Sequence, residues 1–358
     1  MQAKWTLDRA NAWYAAQPWP VGCNFIPSTA VNQLEMWQAD TFDPETIDRE
    51  LGWAAGLGFN SMRVFLHDLL WLDDARGFQD RIARYLDIAG QNGISTVFVF
   101  FDDCWNDDPR LGKQPDPVPG IHNSRWLKSP GTSLIKAPTQ WGRLEDYVSC
   151  LVEAYRSDER VLLWDIYNEP GNGFLLSYRL PRLLSYASLL GQLIRYLVLP
   201  SPAAHLLEKA FSWARAVAPN QPLTAGLWYL RPNLQGKLNP AALELSDVIT
   251  FHSYFDLATT TRLVEGLKTH GRPLLCTEYL ARTANSLFQT HLPYFHEGKI
   301  GSYNWGLVEG KTQTIHSWQA KGGTAEPEVW FHDIFRRHGT PYDQAEAELI
   351  RSLTAHNA

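Results

Sequence analysis

Residues 161–172 read VLLWDIYNEPGN, and the reading of this stretch decides the fold. The apolar run VLLWDIY has the length of a buried strand. Asn168-Glu169-Pro170-Gly171 then stops regular structure, because proline and glycine break strand and helix alike. A carboxylate is thereby held at the mouth of a rigid element. Partial burial there raises a glutamate's pKa toward neutrality, which suits a general acid. The plainer alternative is that Asn168 and Glu169 cap the next helix, and the stretch alone does not choose.

On either side the chain alternates strand and helix patterns. Strands are expected at 19–26, 59–66 and 94–101 before residue 161. The third of these, ISTVFVFF, is a continuous β-branched and aromatic run, as in a parallel strand buried on both faces. Four more are expected at 222–227, 247–253, 273–277 and 300–305. Helices are expected at 43–57, 77–92, 139–156, 203–218, 258–270 and 285–297, with a terminal one around 328–337. Asp43-Pro44 reads as N-cap and first helical residue, and Gly58, Gly93 and Gly271 mark helix–strand junctions. Eight alternating strands and helices in 358 residues predict a (β/α)8, or TIM, barrel, a single domain over 1–358. The alternative, a doubly wound open sheet, would carry GxGxxG after its first strand, where this chain has NFIPSTAVNQ.

Composition narrows the partners. The net charge of −6, without a long basic cluster, argues against a nucleic-acid surface. Fifteen tryptophans are many for this length, and their flat apolar faces suit sugar rings as well as core packing. Cys23, Cys104, Cys150 and Cys276 form no CxxC pair, so each reads as a small buried hydrophobe rather than a zinc ligand or disulfide half. The first residues show no apolar leader core. The expected compartment is the cytoplasm, or the exterior if a leader has been removed.

In a barrel of this kind the chemistry gathers at the C-terminal ends of the strands. Strand two carries Arg63 and, at the same parity, His67. Strand three ends in Asp102-Asp103-Cys104-Trp105, strand four in Asn168-Glu169, and strand five is followed by Trp228-Tyr229. Strand six ends in His252-Ser253-Tyr254, strand seven in Glu278-Tyr279, and strand eight in Trp305. Carboxylates from strands four and seven face each other across the mouth. One can protonate a glycosidic oxygen while the other attacks or activates water. Arg63 is placed to hold Glu278 ionised and Tyr254 to donate to it. Asn168 is placed to bind a sugar 2-hydroxyl, and Trp305 to form a stacking floor.

With those residues in order, the sequence resembles glycoside hydrolase clan A, most closely the family five cellulase-like enzymes. The matches are Arg63 in MRVF, Asn168-Glu169-Pro170, His252 and Tyr254 in FHSYF, Glu278 in CTEY and Trp305 in YNWG. The resemblance implies a retaining β-glycosidase that cleaves β-linked oligo- or polysaccharide by double displacement. It makes Glu169 the acid/base and Glu278 the nucleophile, with no metal and no cofactor. The family usually has a histidine at the end of strand three, where this chain has Asp102-Asp103; that departure points to altered sugar specificity. The pieces NQLEMWQADTF, WGLVEGKTQT and EPEVWFHDIF look like bacterial proteins labelled xylanase-like.

Possible sugar contacts beyond these are Glu35, Trp37, His67, Asp102, Asp103, Trp105 and Trp228, each with a packing role as its alternative. Asp165, inside strand four, reads as a partner of other barrel polar groups. The segment 174–199, the most apolar in the chain, lies in an insertion over 171–202 expected to be a helical pair on the rim. A homo-oligomer contact is the next reading, and its arginines leave it too short to span a membrane. Three rival functions remain: a transglycosylase using the same residues, a non-catalytic carbohydrate-binding barrel, and a metal-dependent hydrolase built on His67, Asp102, Asp103 and His252. The last lacks a paired-histidine ligand motif on one strand.

Overall fold

The computed structural model describes residues 2–172 and 201–355. The 174–199 segment, with the helical pair and the oligomer contact expected of it, lies outside the described residues. Among the described residues, eight parallel strands run in chain order: β1 Val21–Asn24, β2 Ser61–Phe65, β3 Ser95–Asp102 and β4 Val161–Asn168. They continue as β5 Leu223–Gly226, β6 Ile249–His252, β7 Leu274–Tyr279 and β8 Gly301–Trp305. Neighbours pair in the order β5-β4-β3-β2-β1-β8-β7-β6. A parallel bridge between Leu227 and Phe251 joins the two ends. The Leu227 N–H donates to Thr250 O at 3.0 Å and the His252 N–H to Leu227 O at 2.9 Å, which closes the barrel. The predicted strands are all present, each with its ends within two residues of those expected.

Burial explains the alternation. Helix Pro44–Ala55, capped by the Asp43 carboxylate on the Thr46 N–H, buries Ile47, Leu51 and Ala54 against the sheet. Helices Gly142–Tyr155, Ala203–Ala216, Leu257–Lys268 and Phe288–Glu297 cover the remaining sides. At the far end of the barrel, Trp5 and Ala10 pack with Val97, Leu163, Leu275 and Tyr303. An N-terminal helix, Leu7–Ala15, closes that end. β1 lies so near β2 that a Cβ on Gly22 would meet the Ser61 carbonyl oxygen at 1.6 Å.

Two helical expectations are corrected. The helix expected from 77 begins at Asp68, runs to Gln91 with a kink at Asp74, and takes His67 as its cap. No helix forms over 328–337. There Trp330, Phe331, His332, Asp333, Ile334 and Phe335 are all buried in succession. A surface helix buries one stripe and cannot do this. The segment instead bonds to the loop after β8 through Ile334 and Phe335 on Leu307 O, with Asp333 at φ +52°. The terminal helix is Gln344–Thr354, capped by Asp343.

Candidate active site

Strand register sets the site level. β1 places Asn24 opposite Arg63, β4 places Asn168 opposite Asp102, and β6 places His252 opposite Glu278. Asn24, Asp102, Asn168 and His252 end their strands and Glu278 is the last but one of its own, so their side chains emerge together at one end of the barrel; Arg63, in the middle of β2, bonds to three of them.

Arg63 is fully buried and its guanidinium is bonded on every side. Nε and Nη2 donate to Asp165 Oδ2 at 3.0 and 2.8 Å. Nη1 donates to Asn24 Oδ1 and to Glu278 Oε1, both at 2.8 Å, and Nη2 to Asn168 Oδ1 at 2.6 Å. The Tyr254 hydroxyl donates to the other Glu278 oxygen at 2.9 Å. Burial pushes the Glu278 carboxyl up to about 7, against the pull of Arg63 and Tyr254.

Glu169 follows β4 with φ +46°, a left-handed backbone that is uncommon for a side-chain-bearing residue and costs on the order of 1–3 kcal/mol. The turn is pinned from both sides. The Gly171 N–H donates to Asp103 Oδ2 at 2.6 Å and the Trp228 indole N–H to Pro170 O at 3.2 Å. The Glu169 carboxyl is thereby turned to His252, whose Nδ1 lies 2.6 Å from Oε1. Oε2 accepts from the Cys104 thiol at 3.2 Å and from the Asn172 amide. Burial raises this carboxyl as well, opposed by the donors on Oε2. Of the two, Glu278 is the better-held anion, because a guanidinium and a phenol both donate to it. Burial lowers the His252 imidazole to about 4, so the ring is neutral near pH 7. Gly226 leaves room for it: a Cβ there would stand 3.1 Å from Nε2.

These groups open into a cavity of about 330 Å³ whose wall includes Asp102, Trp105, Trp126, Trp228, Tyr254 and Trp305. That is the lower end of the range for small-molecule sites. Asp102 accepts from the Asn168 amide at 2.9 Å and from the Trp126 indole at 2.7 Å, and burial pushes it up to about 6. Trp105 stacks on His122, with ring centroids 5.4 Å apart. Glu169, His252 and Glu278 also offer ligand atoms within 4.8 Å of one another, the one grouping of that kind among the described residues.

Most of the residues expected at the site therefore meet there: Arg63, Asn168, Glu169, His252, Tyr254, Glu278, Trp305, Asp102, Trp105 and Trp228. Arg63 lies beneath the cavity wall, bonded to Glu278 and Asn168, and four others are away from it. His67 is buried, and its Nδ1 accepts from the Leu69 N–H as a helix cap. Asp103 faces the β4 turn and Lys128. Trp37 is buried in the core, donating to Phe65 O. Glu35 accepts from the Val31 N–H and pairs with Lys311 at 2.7 Å. Trp126, Cys104, Asn172 and Trp318 line the cavity without having been singled out. Asn172 had a signal, lying three residues past Glu169 on the same turn. The Trp126 indole returns to Asp102 across a loop with no periodicity to announce it.

The barrel is similar to solved glycoside hydrolase structures. A GH5_18 protein from Streptomyces cattleya in complex with GlcNAc matches with a TM-score of 0.60, over 95% of this chain and 80% of that one, at 15% identity. The exo-β-1,4-mannosidase of Opitutaceae bacterium strain TAV5 matches at 0.60, over 94% of this chain and 60% of that one, at 20% identity. The β-mannanase of the blue mussel Mytilus edulis matches at 0.55, over 94% and 91%, at 13% identity. No family model and no curated protein matches the chain. At these identities the likeness is one of fold.

Proposed function

We propose that this chain is a retaining glycoside hydrolase acting on a β-linked carbohydrate, with Glu278 as nucleophile and Glu169 as acid/base. The observation that carries the reading is the carboxyl pair: oxygens of Glu169 and Glu278 lie within 4.8 Å across a cavity, and only Glu278 bonds to Arg63. Retaining enzymes place their two carboxyls about 5–5.5 Å apart, while inverting ones leave room for water at about 6.5–9.5 Å.

In the first step the Glu278 carboxylate attacks the anomeric carbon. The C–O bond to the leaving group breaks as Glu169 gives that oxygen its proton. A glycosyl ester on Glu278 results. In the second step Glu169 takes a proton from water, whose oxygen attacks the same carbon and expels Glu278, restoring the starting configuration. Arg63 and Tyr254 stabilise the departing carboxylate. The neutral His252 donates to Glu169 and orients it. A resident cation among Glu169, His252 and Glu278 fits less well, since it would face the Arg63 guanidinium and displace the bonds those ligand atoms already make.

The structural neighbours include proteins described as β-mannanases and an exo-β-1,4-mannosidase, so manno-configured substrates belong beside gluco-configured ones in the test. The experiment is hydrolysis of a panel of aryl β-glycosides and β-linked oligosaccharides by wild type, Glu169→Ala and Glu278→Ala. One sugar is expected to be cleaved by wild type. Glu278→Ala is expected to be inactive until azide restores turnover with inverted product. Glu169→Ala is expected to keep glycosylation only for dinitrophenyl leaving groups, which need no acid. Full activity in Glu278→Ala would overturn the mechanism. Binding of the same sugars with no turnover would favour a carbohydrate-binding barrel, and transfer to a sugar acceptor in preference to water would favour a transglycosylase.

A further inference from the structure

Cys104 follows the end of β3 and lies in the cavity wall with its thiol turned to Glu169. Its Sγ stands 3.2 Å from Oε2 of Glu169, 3.5 Å from Nδ2 of Asn172 and 3.6 Å from Nδ2 of Asn168. The backbone fixes it there, since the Cys104 N–H donates to Asp102 Oδ1 at 2.9 Å. The sulfur thus has two amide donors beside it and a carboxyl in front.

The proposed mechanism asks Glu169 to carry a proton in one step and to lack it in the next. With the ring proton of His252 on the nitrogen facing it, its other partners only donate. The Asn172 amide N–H only donates. His252 Nδ1 has carboxyl oxygens on two sides, Glu169 at 2.6 Å and Glu278 at 3.5 Å, so the network assigns the ring proton to that nitrogen. Both groups therefore serve the anion. A thiol is a weak donor and also a weak acceptor. It can give its S–H to the ionised Oε2 and, after rotation about Cβ–Sγ, take an O–H from the protonated one.

We propose that Cys104 is a positioning residue for the acid/base, a partner that reverses its hydrogen bond as the proton leaves and returns, and so keeps Glu169 aimed into the cavity in both states. The inference rests on reading Glu169 as the acid/base. A nucleophilic or redox role fits the same thiol poorly. Burial and the adjacent Glu169 and Asp102 carboxyls push it well above its ordinary value, and reactivity belongs to the thiolate.

A hydroxyl has the same two-way capacity and a methyl has none, so Cys104→Ser and Cys104→Ala separate the hydrogen bond from packing. The direct readout is the pH titration of the Glu169 carboxyl by carbon-13 NMR, its resonance assigned by its loss in Glu169→Gln. In Cys104→Ala the midpoint is expected to rise, because the bond the thiol gives to the charged carboxylate is stronger than the one it takes from the neutral acid, and Cys104→Ser is expected to return it toward wild type. The basic limb of the kcat/KM profile, which reports the protonated acid, is expected to move in the same direction. An unmoved midpoint in Cys104→Ala overturns the proposal. So does a serine variant that shifts as far as alanine.

Should Cys104→Ala fail to fold, the wild-type S–H stretching band, assigned by its loss in Cys104→Ser, serves instead. It is expected at higher frequency in Glu169→Ala, and a band that stays put overturns the proposal. Neither spectrum needs a substrate. A moved midpoint in a protein whose turnover ignores Glu169→Ala overturns the catalytic reading of Glu169, whereas an unmoved midpoint in a protein that needs Glu169 overturns the thiol's role alone.

Discussion

Arg63 bonds four acceptors on three other strands: Asn24 on β1, Asp165 and Asn168 on β4, and Glu278 on β7. A guanidinium can do this because its donors fan out in a fixed plane, whereas a lysine ammonium offers three from one point. Arg63→Lys is therefore expected to lose most of kcat, because Glu278 and Asn168 cannot both be held. Arg63→Met leaves Asp165 and Glu278 buried without their shared counter-charge. It is expected to lower the unfolding free energy by about 3–5 kcal/mol. Urea denaturation would show this as a lower midpoint at an unchanged m-value. An unchanged midpoint would mean that the guanidinium is not what holds the two carboxyls in the fold.

At the scale of the element, the turn after β4 is where strand geometry becomes site geometry. Asp103 holds it from outside the cavity through the Gly171 N–H. Asp103→Ala is expected to reduce kcat about 10- to 100-fold with little change in KM, because it releases a placement and no sugar contact. The lost buried bond is expected to cost about 1–3 kcal/mol. Asp103→Asn keeps the acceptor and is expected to retain most activity. Equal kcat in Asp103→Ala and wild type would refute the pinning. The eight strands were legible because each is a short apolar run closed by a local stop signal, and a strand end gives its side chains one direction. Loops give no such direction. Trp37 and Trp126 look alike in sequence, yet one is core and the other bonds Asp102. The spacing in EPEVWFHDIF resembles a helix because nothing local reveals that Leu307 takes its backbone bonds.

For the whole molecule, the protons on buried groups set where it is most stable. Burial pushes Glu50 and Asp333 up to about 7, as it does Glu278, and Asp102 to about 6. Each folded carboxyl binds its proton more tightly than the unfolded one. Their contribution is complete below the ordinary carboxyl values near 4 and is lost as pH rises through 6 to 7. The buried His122 and His252, lowered to about 4 by burial, run the other way: their contribution is complete above 6.5 and is lost as pH falls through 4. Thermal stability is accordingly expected to peak in weakly acid solution and to fall on the way to pH 8. Glu50 lies away from the cavity, bonded to the Ser28 hydroxyl and N–H. Glu50→Gln is expected to flatten that fall, leaving the variant about 1–3 kcal/mol more stable than wild type at pH 8 but not at pH 5. Melting curves at the two pH values decide it, and a parallel fall in both proteins would move the effect to the other three carboxyls. The bonds of Arg63 carry a last consequence, for the barrel as two halves. Strands β1 to β4 contain Arg63 together with its own counter-ion, Asp165, and are electrically complete at their centre. Strands β5 to β8 bring Glu278 with no cation of their own strands bonded to it. The second half is in debt to the first, and the loan is repaid only where the halves meet, so the ring and the carboxyl pair come into being together.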